Sequence, residues 1–215
     1  MTTVAAPPGV RVVSGALTPE HEAALVRLAT LSSAVFDNFV FRSTMASQQF
    51  NEQLYRRGGS CFAPPAGHLL LVDGEPAGMM AVAPPVLLNA RRAAWASALP
   101  RDRMRSDPRL RVRFRLATRA LLQLHETDAY LTRIAVDPEF TGRGYGTLLL
   151  SLALDETRRL GLRRCVLEVA ESNERAISLY ERAGFRSLAH ASATDPETGE
   201  RMGMVHMGKA VANSE

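Results

Sequence analysis

Apolar positions along this chain recur in two rhythms, one alternating and one stepping by three or four residues, and their order gives the first outline of its architecture. "VRVVSG" reads as a short opening strand. "LTPEHEAALVRLATLSSAVF" then predicts a single helix, with Thr18 as N-cap, Pro19 at the first helical position, and Leu25, Leu28 and Leu31 on one face. "TMASQQFNEQLYRRGG" predicts a second helix, stopped by Gly58 and Gly59. In "HLLLVDGEPAGMMAV" two apolar runs flank Asp73-Gly74, a pair that tolerates the positive φ of a tight turn, so two antiparallel strands are expected.

Residues 86 to 107 mix Arg, Ala and Pro with the only tryptophan, Trp95, and read as a helical insertion with a loop. "DPRLRVRFRLATRALLQLHE" alternates arginine with apolar residues as a strand would. The helical count wins, because Leu110, Phe114, Ala117, Leu121 and Leu124 recur at steps of four and three after an Asp107-Pro108 start signal. Several arginines then project from the solvent side. From residue 130 the order is strand ("YLTRIAV"), glycine loop, helix to about Arg159, a stop at Gly161, strand ("RCVLEVA"), helix ("NERAISLYERA"), Gly184 and a strand beginning "FRSLA". "DPETGE" links that last strand to "RMGMVHM", a closing hairpin strand. The expectation is one α/β domain built around a βαβα unit.

The loop "TGRGYG" carries the most pointed signal. A helix start leaves backbone N–H groups without intrahelical acceptors and bears partial positive charge, so anions collect there. Side chains too bulky for close approach, or unable to adopt positive φ, would block a pyrophosphate. Gly142, Gly144 and Gly146 remove that obstacle, and Arg143 adds a cation. The same glycines could instead serve only a tight strand-to-helix turn. The spacing is not the G-x-G-x-x-G of a Rossmann fingerprint, and it falls two thirds along the chain.

Composition narrows the classes. Hydrophobic content of 46% and charged content of 22% are those of a globular chain. No apolar run approaches the roughly 18 residues of a membrane span, and no signal-peptide pattern opens the chain, so a cytoplasmic protein without a membrane partner is expected. Cys61 and Cys165 suggest neither a disulfide framework nor a zinc site, and the five histidines show no metal spacing. The net charge of +4 comes almost wholly from arginine, since Lys209 is the only lysine; it favours anionic partners without choosing among them.

"LTRIAVDPEFTGRGYGTLLL" followed by "LEVAESNERAISLYERAGF" resembles the two signature segments of the GNAT acyl-CoA N-acyltransferases, in order and separation, over residues 130 to 186. The spacing from Glu168 to Tyr180 resembles the branch that acetylates alanine of a ribosomal protein. The resemblance implies a GNAT fold over residues 1–215: a mixed, partly splayed central sheet flanked by helices, with the insertion ahead of the βαβα unit. It also implies acetyl-CoA as cosubstrate, no metal, and direct transfer to a primary amine of a small molecule or protein in a ternary complex. Ile134, Ala135 and Val136 would bond the pantetheine arm through main-chain groups, with N–H groups near Val136 polarising the thioester carbonyl. Thr141, Gly142, Arg143, Gly144, Tyr145, Gly146 and Thr147 would take the pyrophosphate. The family loop usually begins with Gln or Arg where this chain has Thr141.

Asn173 and Ala176 would lie near the pantetheine, although Asn173 or Ser172 could simply cap the helix. Tyr180 matches the general acid that protonates the departing thiolate, and would look the same as a core tyrosine. Glu168, which interrupts an apolar strand, matches the base, or else pairs with an arginine. Glu126, Asp128 and His125 stand before the strand as further candidates for the base. A homodimer stays open. The rival class is a non-catalytic acyl-CoA- or RNA-binding module, motivated by Thr141 and the arginines at 101, 103, 105, 109, 111, 113, 115 and 119. Another donor, a longer acyl-CoA or an aminoacyl-tRNA, is the remaining alternative.

Overall fold

The computed structural model describes residues 8–58, 60–90 and 101–211, with the side chains of 101–103 left aside. Gly59, Trp95 and the middle of the expected insertion fall outside the described residues; its ends, 85–90 and 101–106, are helical. Seven strands form one sheet in the order β1-β2-β3-β4-β5-β7-β6. They are β1 (Val10–Val13), β2 (Gly67–Val72), β3 (Glu75–Ala83), β4 (Asp128–Val136), β5 (Arg164–Ala170), β6 (Arg186–Thr194) and β7 (Arg201–Ala210). Every neighbouring pair is antiparallel except β4 and β5. The helices are α1 (Pro19–Ser32), α2 (Ala34–Phe41), α3 (Thr44–Arg56), α4 (Arg101–Ser106), α5 (Pro108–Arg119), α6 (Tyr145–Arg159) and α7 (Glu174–Arg182).

Alternation along the strands divides the core between two faces. On one, Leu70 and Met80 join Leu149, Ala153, Leu167 and Phe185 beneath α6. On the other, Leu69 and Met79 pack with Leu25, Leu28 and Phe62 beneath α1, and Phe39, Phe50, Leu110 and Met204 form a cluster between α2, α3, α5 and the far strands. The 2-3 hairpin turns at Asp73 and Gly74, both with positive φ (51° and 91°), as the Asp-Gly pair predicts. Thr18 caps α1 by accepting from the His21 N–H at 3.3 Å, and Asp107 caps α5 by accepting from Leu110 N–H at 3.0 Å.

Two expectations are corrected. The first helix is two helices, α1 and α2, meeting at 77°. The hydroxyls of Ser32 and Ser33 donate back to the Ala29 carbonyl, and Ser33 also donates to Asp37 at 2.7 Å, so the serine pair offers the backbone an alternative to continuing straight. Buried Asp37 also receives the Ser47 hydroxyl and the Asn51 amide, which fixes α2 on α3. The helix predicted over "DPRLRVRFRLATRALLQLHE" ends at Arg119, leaving Leu121 and Leu124 beyond it. Of the α5 arginines, Arg113 instead faces inward, its Nε donating to the buried Val40 carbonyl near the end of α2 at 2.9 Å, with the Asp195 carboxylate 3.9 Å from the guanidinium.

Candidate active site

β4 and β5 are paired at only three positions, Asp128–Arg164, Ala129–Cys165 and Tyr130–Val166. The closed end is held by a bidentate contact: Arg164 donates to buried Asp128 at 2.7 and 2.9 Å, and the His125 N–H adds a third bond at 2.9 Å. Burial pushes the Asp128 carboxyl up, but these donors outweigh it and hold it below the usual carboxylate range. Past Tyr130 the strands part, and a cleft of about 600 Å³ opens between residues 131–136 and 167–170. Ile134, Ala135 and Val136 line it while their other edge stays paired with Met80, Met79 and Gly78 of β3. The backbone edge freed by the split therefore faces the cleft, available to an extended ligand as an added strand would be.

One end of the cleft runs into the start of α6. Gly142 and Gly144 have φ of 80° and 84°, and a Cβ on either would meet nothing within 4 Å. Backbone conformation, not crowding, selects glycine at both. Gly146 serves a different purpose: a Cβ there would stand 3.3 Å from Leu179 Cδ2, so its absence lets α7 approach α6. Gly144 is the N-cap and supplies no side-chain bond, which leaves the first-turn N–H groups of α6, at Tyr145, Gly146 and Thr147, for a ligand. Thr141, Gly142, Gly144, Tyr145, Gly146 and Thr147 all line the cleft. Arg143 does not; its guanidinium sits over the Phe140 ring at 5.3 Å. The Thr141 hydroxyl donates to the Pro138 carbonyl at 3.0 Å. Asp137 anchors the loop, accepting the Glu139 N–H at 3.1 Å and pairing with Arg27 of α1 at 2.6 Å.

The other wall is β5 and α7. Asn173 rather than Ser172 caps α7, its Oδ1 accepting from Ala176 N–H at 3.1 Å, and both Asn173 and Ala176 line the cleft. Tyr180 also lines it, with only 5% of its surface exposed and its ring tilted against Phe185 at 5.9 Å. Burial pushes its hydroxyl well above the usual phenol range, with Cys165 adding to the shift. Glu168 lies across the cleft wall with its side chain 6% exposed. Its partners are not arginines. Tyr130 donates to Oε2 at 2.6 Å, the Leu122 N–H donates to Oε1, and His206 Nε2, which bonds the Ala120 carbonyl at 2.9 Å, stands 3.7 Å from Oε1. Burial and the Glu168 carboxylate together push the Tyr130 phenol well above its usual range.

Of the residues expected at the site, all but Arg143 line the cleft, while the further base candidates His125, Glu126 and Asp128 all lie outside its lining. Asp128 is committed to Arg164, outside the cleft lining. Sequence reasoning missed Tyr130, Leu122 and His206 as the shell of Glu168, and the α1–α2 corner, residues 31–36, as a wall of the cleft. The pairing of Tyr130 with Glu168 depends on parallel registration of β4 against β5, for which no local pattern exists.

The sequence model of the Acetyltransferase (GNAT) family matches residues 27–185. The [ribosomal protein bS18]-alanine N-acetyltransferase of Salmonella typhimurium is 45% identical over 71 residues, 33% of this chain and 48% of the relative. The protein of that name from Escherichia coli K12 is 34% identical over 98 residues, 46% of this chain and 66% of the relative. The chain thus spans about half to just under two thirds of these relatives. Mycothiol acetyltransferase of Geodermatophilus obscurus is 46% identical over 52 residues, 24% of this chain and 17% of that protein. Among solved structures, an N-acetyltransferase from Staphylococcus aureus Mu50 superposes with a TM-score of 0.68 at 16% identity, covering 93% of this chain and 100% of that one. The E. coli ribosomal-protein-S18-alanine N-acetyltransferase gives 0.55 at 20% identity, covering 96% of each. A mixed sheet parted between β4 and β5, a glycine loop feeding an uncapped helix, and a family match across most of the chain lead to one conclusion: this protein belongs to the acetyltransferase (GNAT) family.

Proposed function

We propose that this chain transfers an acetyl group from acetyl-CoA to a primary amine by direct attack within a ternary complex. The observation that carries this is the continuity of the freed β4 edge with the uncapped start of α6, which offers main-chain groups to an amide-bearing arm and N–H donors to a pyrophosphate in one groove. An acetyltransferase from S. typhimurium of similar fold is described with its cofactor acetyl-CoA. Ile134, Ala135 and Val136 would hold the arm, and residues 141–147, with Thr141 in place of a longer donor, the pyrophosphate. Asn173 and Ala176 would flank the arm.

In this scheme the amine nitrogen attacks the thioester carbonyl, the carbon–sulfur bond breaks, and the sulfur leaves as a thiolate. Tyr180 stabilises that sulfur by hydrogen bonding. Burial makes its proton hard to surrender, so a shared proton suits it better than early transfer. Glu168 takes the proton released by the amine, with Tyr130 and the Leu122 N–H orienting its carboxylate. The acceptor we favour is a protein amine, because two of the similar proteins are named for acetylating alanine of a ribosomal protein. Calorimetric titration with acetyl-CoA, followed by transfer to a peptide with an N-terminal alanine, tests the scheme. Micromolar binding that persists at moderate salt, with acetyl on the peptide amine, is expected; absence of donor binding would reject it.

A further inference from the structure

The arginines of α5 fall into two groups. Arg113 is turned into the core and Arg109 pairs with Glu197 at 2.7 Å. Arg111, Arg115 and Arg119 are exposed, and among the described residues none of them reaches a carboxylate. On a wheel of about 100° per residue they are centred opposite the buried Leu110, Arg113 and Ala117. They step along the helix every four residues, about 6 Å apart, forming a stripe about 12 Å long. Such a stripe is unfavourable for the helix itself, since like charges four residues apart repel and α5 carries no acidic residue in its first turn.

Exposed arginines without an ion pair also occur singly, as at Arg175 and Arg182 of α7, but among the described residues α5 sets three of them four residues apart on one face. On α6, under the same composition, the exposed Arg158 pairs with Asp155 at 2.6 Å and Arg159 with Glu156 at 2.6 Å. Those cations are neutralised by their own helix, whereas among the described residues Arg111, Arg115 and Arg119 of α5 meet no carboxylate. The chain just beyond the stripe reaches the active site, where the Ala120 carbonyl bonds His206 and the Leu122 N–H bonds Glu168.

We propose that the Arg111–Arg115–Arg119 face of α5 binds the phosphate backbone of a nucleic acid. Guanidinium forks match phosphate oxygens, and a regular step of cations suits a regularly repeating anion. A lipid surface fits poorly, because the apolar side of α5 is spent in the core and nothing remains to insert. An acidic protein fits less well, because the stripe has no aromatic or apolar anchor of the kind protein interfaces use. The absence of such anchors also means contact without base readout. This surface is independent of the transfer chemistry; if both hold, it would keep an acceptor carried on a nucleic-acid-bound particle beside the cleft.

The test is fluorescence anisotropy of the full chain with labelled RNA and DNA duplexes of about 20 base pairs over a range of sodium chloride. Three phosphate contacts predict a slope of log K against log salt of about −2.7, or about 40-fold weaker binding at 200 mM than at 50 mM. Arg115→Ala should flatten the slope by about one, and the triple change Arg111→Ala, Arg115→Ala, Arg119→Ala should lower affinity at least tenfold at 50 mM. Circular dichroism should show the triple variant folded, and Arg158→Ala with Arg159→Ala should leave binding intact. Absence of duplex binding, binding unchanged in the triple variant, or displacement by polyglutamate as effective per charge as by nucleic acid would each overturn the proposal.

Discussion

Replacing Asp128 by Asn probes the staple that closes the β4–β5 split. The carboxylate is 1% exposed and accepts three bonds, two from Arg164 and one from the His125 N–H. Asparagine keeps the shape but loses the charge, and turns an NH₂ toward donors. Removing one member of a buried pair costs about 3–5 kcal/mol; Arg164, with a third of its side chain exposed, can partly rehydrate, so we take about 3 kcal/mol. For a chain of this length that is a fall in Tm of about 6–12 °C. The pH dependence has a definite sign. The folded carboxyl titrates below its unfolded value, so the wild-type advantage is complete above about pH 4 and fades as pH falls through the folded value. Urea unfolding of both proteins at pH 7, 5 and 3.5 measures it. A difference under about 1 kcal/mol at pH 7, or a gap that fails to narrow at the acid end, would refute the reasoning.

Gly144→Ala should cost about 1–2 kcal/mol from its left-handed φ alone, and should weaken acetyl-CoA at least tenfold by calorimetry, as the helix start is re-aimed. Gly146→Ala should instead cost stability through Leu179, with a smaller effect on the donor. Tyr180→Phe should lower kcat by about 10²-fold or more with donor affinity within twofold, and since burial raises this phenol, no alkaline limb below pH 10 should disappear with it. Tyr130→Phe should reduce kcat with KM little changed and leave Tm within a few degrees; a rate equal to wild type would remove Tyr130 from the orientation of Glu168.

Much of this protein was legible locally. Pro19 and Thr18 start α1, Asp73-Gly74 turns the hairpin, and Asp107-Pro108 opens α5, because caps and tight turns are decided by a few adjacent residues. The glycine loop and its helix were legible for the same reason. The α1–α2 break was not, since a run of apolar residues looks continuous while the bend is stabilised by Ser47 and Asn51 on another helix. Which of the α5 arginines turns inward was not legible either, because the partner of Arg113, the Val40 carbonyl, lies 73 residues away.

The sequence by itself determined the order of elements, the helix start poised for an anion, and the family signature, all set by periodicity, backbone freedom and spacing within short windows. Only the tertiary structure decided that β4 and β5 part after three pairs, that Glu168 is held by Tyr130 and Leu122 rather than by an arginine, and that among the described residues three arginines of α5 meet no carboxylate while those at the end of α6 do. Each of these depends on which distant strands and helices become neighbours, and strand registration and side-chain desolvation exist only once the chain has packed.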